Sequence, residues 1–380
     1  MKRPFTALAL AASLVLLAGC SSLNPFAESG PKPAKLPDFK ASAELRPVWQ
    51  ARIGKSGPYV FQPAVVGEDV YAAAHDGAVA RFKDGKAVWS VNAAKRLSAG
   101  VGSNGKLAVV ATTAGEVVAL DAASGAERWR AAIGAEVLAA PAVGDAIVVV
   151  RASDSRLIGL DATNGARRWV FQRATPPLSL RSFAGVTLEG PAAVAGYPGG
   201  KLVAVSLANG GQLWELTVAT PKGSTELERV ADVAGTPVIG RKELCAVAFQ
   251  GRAACFDATN GNALWSRDFS SSVGMDRDSR FVVITDDNDA VHALDGTSGA
   301  NVWKQAALPR RALSRPLIVG DFVAVGDFEG YIHLLKRDDG SFAARTRADS
   351  SSVTADPRRF GRDGFVVQTR DGGIHVYEAR

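Results

Sequence analysis

All seven tryptophans of the chain occupy one position of one repeating unit. They are Trp49, Trp89, Trp129, Trp169, Trp214, Trp265 and Trp303, spaced 40, 40, 40, 45, 51 and 38 residues apart. A period near 40 residues marks stacked or radial supersecondary units, each unable to bury its apolar face without a neighbour. The unit is clearest at Gly115–Trp129 (GEVVALDAASGAERW), Ser155–Trp169 (SRLIGLDATNGARRW) and Gly251–Trp265 (GRAACFDATNGNALW). Weaker copies run Gly77–Trp89, Gly200–Trp214, Asp289–Trp303 and Gly330–Ala344, the last with Ala where Trp is expected. An eighth, Gly372–Arg380, reaches Arg380 before its Trp.

The complement lies at the other terminus, where Arg46–Ile53 (RPVWQARI) reads as a Trp-bearing strand with no unit before it. Pairing the spare strand with the incomplete unit closes a ring, whereas an open solenoid would leave two raw strand edges. Within each unit, four runs of Val, Ile, Leu and Ala are broken by hairpin-turn pairs such as Asp76-Gly77, Asn164-Gly165 and Gly320-Asp321. Proline opens the first run at Pro63, Pro141, Pro237 and Pro316, where a ladder donor is least needed. The expected fold is all-β: an eight-bladed β-propeller of four-stranded antiparallel blades, closed by the N-terminal strand pairing with the C-terminal blade.

Lys2 and Arg3 precede an apolar run, Ala7–Ala18, that is too short to span a membrane comfortably and reads as a signal peptide. It ends in Leu17-Ala18-Gly19-Cys20, which resembles a bacterial lipobox and implies cleavage before Cys20 and acylation of that residue. Two or three acyl chains give a lasting anchor, and Ser21 after the cysteine offers no inner-membrane retention signal. The expected organisation is a signal peptide over 1–19, lipidated Cys20 with a flexible Ser/Pro/Ala/Lys-rich tether over 20–44, and the propeller over 45–380. This places the domain on the periplasmic face of the outer membrane. The net charge of +6, or +4 without Lys2 and Arg3, is spread rather than clustered, which fits acidic partners better than nucleic acid.

Candidate chemistry is sparse. Cys245 and Cys255 flank the Gln250-Gly251 turn at near-symmetric distances. They read equally as a cross-strand disulfide, permitted in an oxidising compartment, or as two buried thiols, because a one-residue register shift separates the two. His292, His333 and His375 recur at the same place in three successive units. Neighbouring blades hold such positions about 10 Å apart, while zinc ligands converge within about 2.1 Å of one ion, so packing is expected rather than a metal. The Asp286–Asp289 cluster reads as a solvated hairpin tip, and Asp121, Asp161, Asp257 and Asp295 as turn residues bonding nearby amides. No catalytic constellation, phosphate loop or cofactor motif emerges, and no enzyme activity is expected.

The repeat is broken in one region. From each Trp position to the next unit start the distance is 24 to 28 residues, except for 31 between Trp169 and Gly200 and 37 between Trp214 and Gly251. Both insertions are blade-to-blade connections, which emerge on one face of a propeller, so they should project side by side as functional loops. The first holds Pro176-Pro177-Leu178-Ser179-Leu180-Arg181, whose alternation would place Leu178 and Leu180 on one side. Aliphatic anchors beside an arginine suit a protein-binding hot spot, and the same pattern fits a short edge strand that buries its leucines. The second holds Gly223–Val233 (GSTELERVADV), a short helical turn or ordered loop with Glu226, Glu228, Arg229 and Asp232 available to a partner.

The lipobox, the Trp-marked ring, Leu178–Arg181, Gly223–Arg229 and Val325–Tyr331 (VGDFEGY) together resemble the BamB family across essentially the whole chain. Members of that family are lipoprotein subunits of the machinery that inserts β-barrels into the outer membrane. The resemblance implies a non-enzymatic scaffold whose paired loops dock on the periplasmic POTRA domains of BamA. It assigns the contacts to Leu178, Leu180, Arg181 and Asp232. The family often carries a second acidic residue two positions after Asp232; this sequence has Ala234 there. Exposed strand edges would offer unfolded outer-membrane proteins a second surface by β-augmentation. The repeat also resembles that of pyrroloquinoline quinone dehydrogenases, the enzymatic alternative. Those are much longer and use adjacent cysteines and a calcium-bound cofactor, whereas Cys245 and Cys255 are separated.

Overall fold

The computed structural model describes residues 32–380, so the signal segment and Cys20 lie outside the described residues. Each stretch of about 40 residues folds into one four-stranded antiparallel meander, and eight such sheets form the ring. In the third blade the order is Ala142–Val143, Ile147–Arg151, Leu157–Asp161 and Arg167–Phe171, from the inside outward. The second and third strands of each blade are sandwiched between neighbouring sheets, so they are apolar on both faces and read as continuous Val/Ile/Leu/Ala runs rather than as alternation. The fourth strand meets solvent with one face and alternates. Eight core clusters correspond to the eight blade-to-blade interfaces; one joins Val109, Ala119 and Trp129 to Val148, Ile158 and Leu160. No sheet has a core of its own, and the stability of each blade comes from its neighbours.

The ring closes as the sequence requires. Leu45–Arg52 pairs antiparallel with Gly373–Ala379 and completes a sheet whose other strands are Gly364–Gln368 and Arg358–Phe360. The preceding residues, expected to belong to a free tether, lie against the ring from Ala34 onward. The Ala34 amide donates to the Pro309 carbonyl at 3.0 Å and the Ser42 amide to Ala343 at 2.9 Å. Arg311 and Arg345 donate to the carbonyls of Ala34 and Pro37 at 3.0 and 3.1 Å, and Phe39 stacks on Phe342 at 5.4 Å. Arg311 is in turn held by buried Asp327 at 2.7 Å and by Glu329, both within the VGDFEGY motif.

The tryptophans are the joints between blades. The indole N–H of Trp129 donates to the carbonyl of Ala162 in the next blade at 2.8 Å, and its ring lies over Gly165, where a Cβ would come within 2.5 Å. Trp89, Trp169, Trp265 and Trp303 repeat the arrangement with Ala122, Leu207, Gly296 and Arg337 at 2.7 to 3.0 Å. The glycine of the Asp-x-x-x-Gly turn is therefore required twice, by its positive φ (73° at Gly165) and by the indole above it. The aspartates supply the rest of the turn: Asp121 accepts from the amides of Ala123 and Ser124, Asp161 from Thr163, Asp257 from Thr259 and Asp295 from Ser298. The seventh blade has Ala344 because the eighth blade has no such turn to dock against; the third strand of that blade ends at Ala379, and Arg380 bonds Glu44 through the backbone.

Two tryptophans depart from the rule. Trp49 packs beside Gly85, but the first blade turns in two residues there, and the buried Trp49 indole N–H has no acceptor among the described residues. Trp214 makes no inter-blade bond, and Leu216 takes its place over Gly261. That joint, between the fourth and fifth blades, is the one bridged by the longest connection.

Candidate functional site

The two long connections, residues 172–186 and 218–237, lie side by side and are bonded to each other. Ser182 Oγ donates to the carbonyl of Ala234 at 3.0 Å, the Gly185 amide to Thr236 Oγ1 at 3.0 Å, and Thr187 Oγ1 to the Pro237 carbonyl at 3.0 Å. Asp232 ties them most firmly. Its carboxylate, only 3% exposed, accepts from the Leu180 amide at 2.6 Å and from the Gly199 amide at 3.1 Å. A carboxylate expected at the contact surface is thus a buried brace, because two backbone amides satisfy it where water cannot.

The first connection forms no strand. Leu178 is 43% exposed, while Leu180 is half-buried, so the two leucines are not equivalent as the alternation suggested. Arg181 is exposed yet positioned: its guanidinium meets both carboxylate oxygens of Glu136 at 3.2 Å and lies 5.6 Å from the ring of Tyr59, whose hydroxyl also donates to Glu136 at 3.1 Å. These partners come from the segments leading into the first and third blades, so Arg181 is anchored across blades.

The second connection makes one helical turn. Thr225 and Glu228 form a capping box: Glu228 Oε2 accepts from the amides of Ser224 and Thr225 at 2.7 and 3.1 Å, and Thr225 Oγ1 accepts from the Glu228 amide at 3.2 Å. The two backbone donors hold the Glu228 carboxyl below its ordinary value. Arg229 stays within the turn, donating to the Gly223 carbonyl and to Glu226 at 3.1 Å. The turn lifts Leu227 into solvent, 73% exposed. The sequence reading did not single out Leu227, although an apolar residue inside a charged capping box is a readable signal of an exposed side chain.

Elsewhere the structure sorts the other candidates. Cys245 and Cys255 lie directly opposite each other on adjacent strands and are joined as a disulfide, with Cα atoms 4.1 Å apart. His292, His333 and His375 are buried, one per blade, and face Asp286, Asp327 and Asp349 respectively. Burial lowers the pKa of all three. His333 is neutral, with Nε2 against Asp327 and Nδ1 accepting from Arg345 at 3.1 Å. Among the described residues no cluster of His, Cys, Asp and Glu could hold a metal ion.

Known proteins match the chain over most of its length. A family model described as outer membrane protein assembly factor BamB matches residues 75–305. The chain is 42% identical to outer membrane protein assembly factor BamB of Bordetella pertussis, over 96% of this chain and 95% of that one. It is 35% identical to BamB of Escherichia coli, over 96% of each. The crystal structure of BamB from Moraxella catarrhalis superposes with a TM-score of 0.82 at 27% identity, covering 88% of this chain and all of that one. The quinohemoprotein alcohol dehydrogenase of Comamonas testosteroni, with a TM-score of 0.71 at 12% identity over 89% of this chain and 76% of its own, shares the fold alone. The full-length matches and the family model agree: the chain belongs to the BamB family of outer membrane protein assembly factors.

Proposed function

We propose that the protein is a non-enzymatic scaffold of the outer-membrane β-barrel assembly machinery, held to the periplasmic face of the outer membrane through acylated Cys20. Its paired loops dock on the POTRA domains of BamA. The observation that carries this reading is the braced loop pair itself. Exposed Leu178 and Leu227 stand beside Arg181 and Arg229 on loops that Asp232 and the capping box hold rigid. Exposed aliphatic anchors with a positioned arginine are what a protein-binding hot spot needs, and prior ordering removes part of the entropic cost of binding. Leu178, Leu180, Arg181 and Leu227 are the contact residues in this reading, Asp232 braces them, and Arg229 holds the turn.

Co-purification of BamA with the tagged protein from solubilised outer membranes tests it. Arg181→Glu, and Leu178→Ala combined with Leu180→Ala, should each reduce recovered BamA while leaving the thermal unfolding midpoint near that of the unaltered protein. BamA recovered in full with all three positions changed would remove the loops from the interface.

A further inference from the structure

A polar cavity of about 330 Å3 lies beneath the first loop, between the third and fourth blades. Its roof is Ser179–Ser182, the segment that follows Leu178 and includes Arg181. Arg151 lines it, at the end of the second strand of the third blade and only 9% exposed. By strand register, the equivalent positions in the other blades are Ala73, Ala111, Gly196, Val247, Thr285, Gly326 and Gln368. Arg151 is thus the one charged residue that the repeat places there. The two polar equivalents bond outward to a neighbouring carbonyl, Thr285 to Ser314 at 3.1 Å and Gln368 to Ala73 at 2.9 Å.

Arg151 does so only weakly. Its Nη1 reaches the Ala184 carbonyl at 3.4 Å, one face lies 5.5 Å from the ring centre of Tyr197, and among the described residues no carboxylate is within ion-pairing distance. The two carboxylates that line the cavity are already engaged, Asp232 by the amides of Leu180 and Gly199 and Glu136 by Arg181 and the Tyr59 hydroxyl. Around the cavity, the hydroxyls of Ser153, Ser155 and Ser179 make no hydrogen bond within the described residues. A buried guanidinium with an unused fork is costly unless a matching acceptor completes it, and the group whose geometry matches that fork is a carboxylate.

We propose that this cavity is a carboxylate receptor. Arg151 grips an Asp or Glu side chain of the polypeptide docked across Leu178 and Leu227, and the serines supply further donors. The assignment of that polypeptide rests on the docking reading above; the cavity and the arginine that lines it do not. The loop roof places the carboxylate next to Arg181, so one acidic side chain would lock the partner's register while the leucines supply apolar contact. The terminal α-carboxylate of a polypeptide carries the same chemistry and is the competing source.

Arginine Nε–H resonances of the 15N-labelled protein, with that of Arg151 assigned by its loss in Arg151→Lys, report on the site directly. At constant ionic strength, N-acetylglutamate α-methylamide should shift the Arg151 signal saturably, and the isosteric N-acetylglutamine α-methylamide should not. Arg151→Lys, read by the shifts of the neighbouring Ser153 and Ser179 amides, should weaken binding about tenfold or more, the size expected for losing a charge-assisted hydrogen bond. No shift, or an equal response to the glutamine probe, overturns the proposal. Tighter binding of N-acetylglycine assigns the site to a terminal α-carboxylate and overturns the side-chain assignment. In a second arm, Arg151→Gln should lower BamA co-purification several-fold with protection of the Leu180 amide unchanged. If the glutamate probe binds but BamA recovery is unaltered, the partner does not use the cavity. If the Leu178, Leu180 and Arg181 variants also leave recovery unaltered, the docking reading has failed instead, and the probe titration on the unaltered protein still decides the site.

Discussion

Asp232 shows how one buried side chain can serve a surface it does not reach. Replacing it with Ala leaves the amides of Leu180 and Gly199 without acceptors, and each unmet buried donor costs about 1–3 kcal/mol. Hydrogen exchange at those two amides should therefore accelerate in Asp232→Ala while blade-core amides such as Val149 keep their protection; unchanged exchange at Leu180 would refute the bracing role. Ionisable residues of the blades make a second, pH-dependent contribution. Burial lowers the pKa of His292, His333 and His375, so in the folded ring they resist a proton that the unfolded chain accepts near its ordinary value of about 6.5. The stability this confers is fully present above that value and is lost as pH falls through the lower folded values. The turn aspartates act in a more acidic window. The Arg128 guanidinium and Ser124 hold Asp121 down to about 2, and Arg168 lowers Asp161, so their contribution disappears only as pH falls from about 3.8 towards 2. Urea midpoints should be level above neutrality, decline below about 6.5 and decline again below about 4. A midpoint constant from pH 7 to pH 5 would exclude the histidine contribution.

At the scale of the strand and turn, the indole-on-glycine joint explains why this repeat is so legible. The Trp and the turn Gly are coupled by one geometry, so they recur together at all five such joints, while the Asp that opens the turn is replaced by Ser206 and Lys336 at two of them. Ala344 was readable as a missing Trp, and its reason, an absent turn in the eighth blade, follows from the ring closure that the sequence also implied. The exception at Trp214 was not readable. The residue type and spacing are intact, and only a displacement at the fourth joint puts Leu216 over Gly261 instead. Trp129→Ala should cost about 3–5 kcal/mol, as expected for emptying a buried aromatic site that is only 6% exposed, and should also orphan the Ala162 carbonyl. Trp214→Ala, at a partly exposed site without the inter-blade bond, should cost clearly less. Equal losses in chemical denaturation would show that the bond and the glycine stack contribute nothing. The loops were legible as insertions because length is visible in a sequence, and the exposure of Leu178 and Arg181 agrees with their place in such loops. The bracing role of Asp232 and the burial of Arg151 were not legible, because their partners are backbone amides, a carbonyl and a cavity, none of which has a signature in residue types.

On the scale of the ring, every blade depends on two neighbours, so the closing sheet carries the cooperativity of the whole. Seven blades are continuous in sequence; the eighth joins Leu45–Arg52 to Gly373–Ala379 and is the place where the circle can open. Two arginines reinforce the entry to that strand, Arg311 and Arg345, by gripping the backbone at Ala34 and Pro37. A protein lacking residues 34–52 loses the outer strand, the Trp49 contact with the first blade and the cover over Phe342. It also bares the Gly373–Ala379 edge, a template for pairing with another polypeptide. Such a protein should self-associate in sedimentation experiments and unfold at lower urea concentration, with a broader transition than the intact ring. Because the lesion is one missing strand, a synthetic peptide of sequence LRPVWQAR should bind the truncated protein and restore the monomer, whereas a peptide with Pro in place of Trp49 should fail. Should the truncated protein remain monomeric with the original midpoint, closure would be a feature of the topology without energetic weight, and the stability of the ring would have to reside in the seven continuous blades.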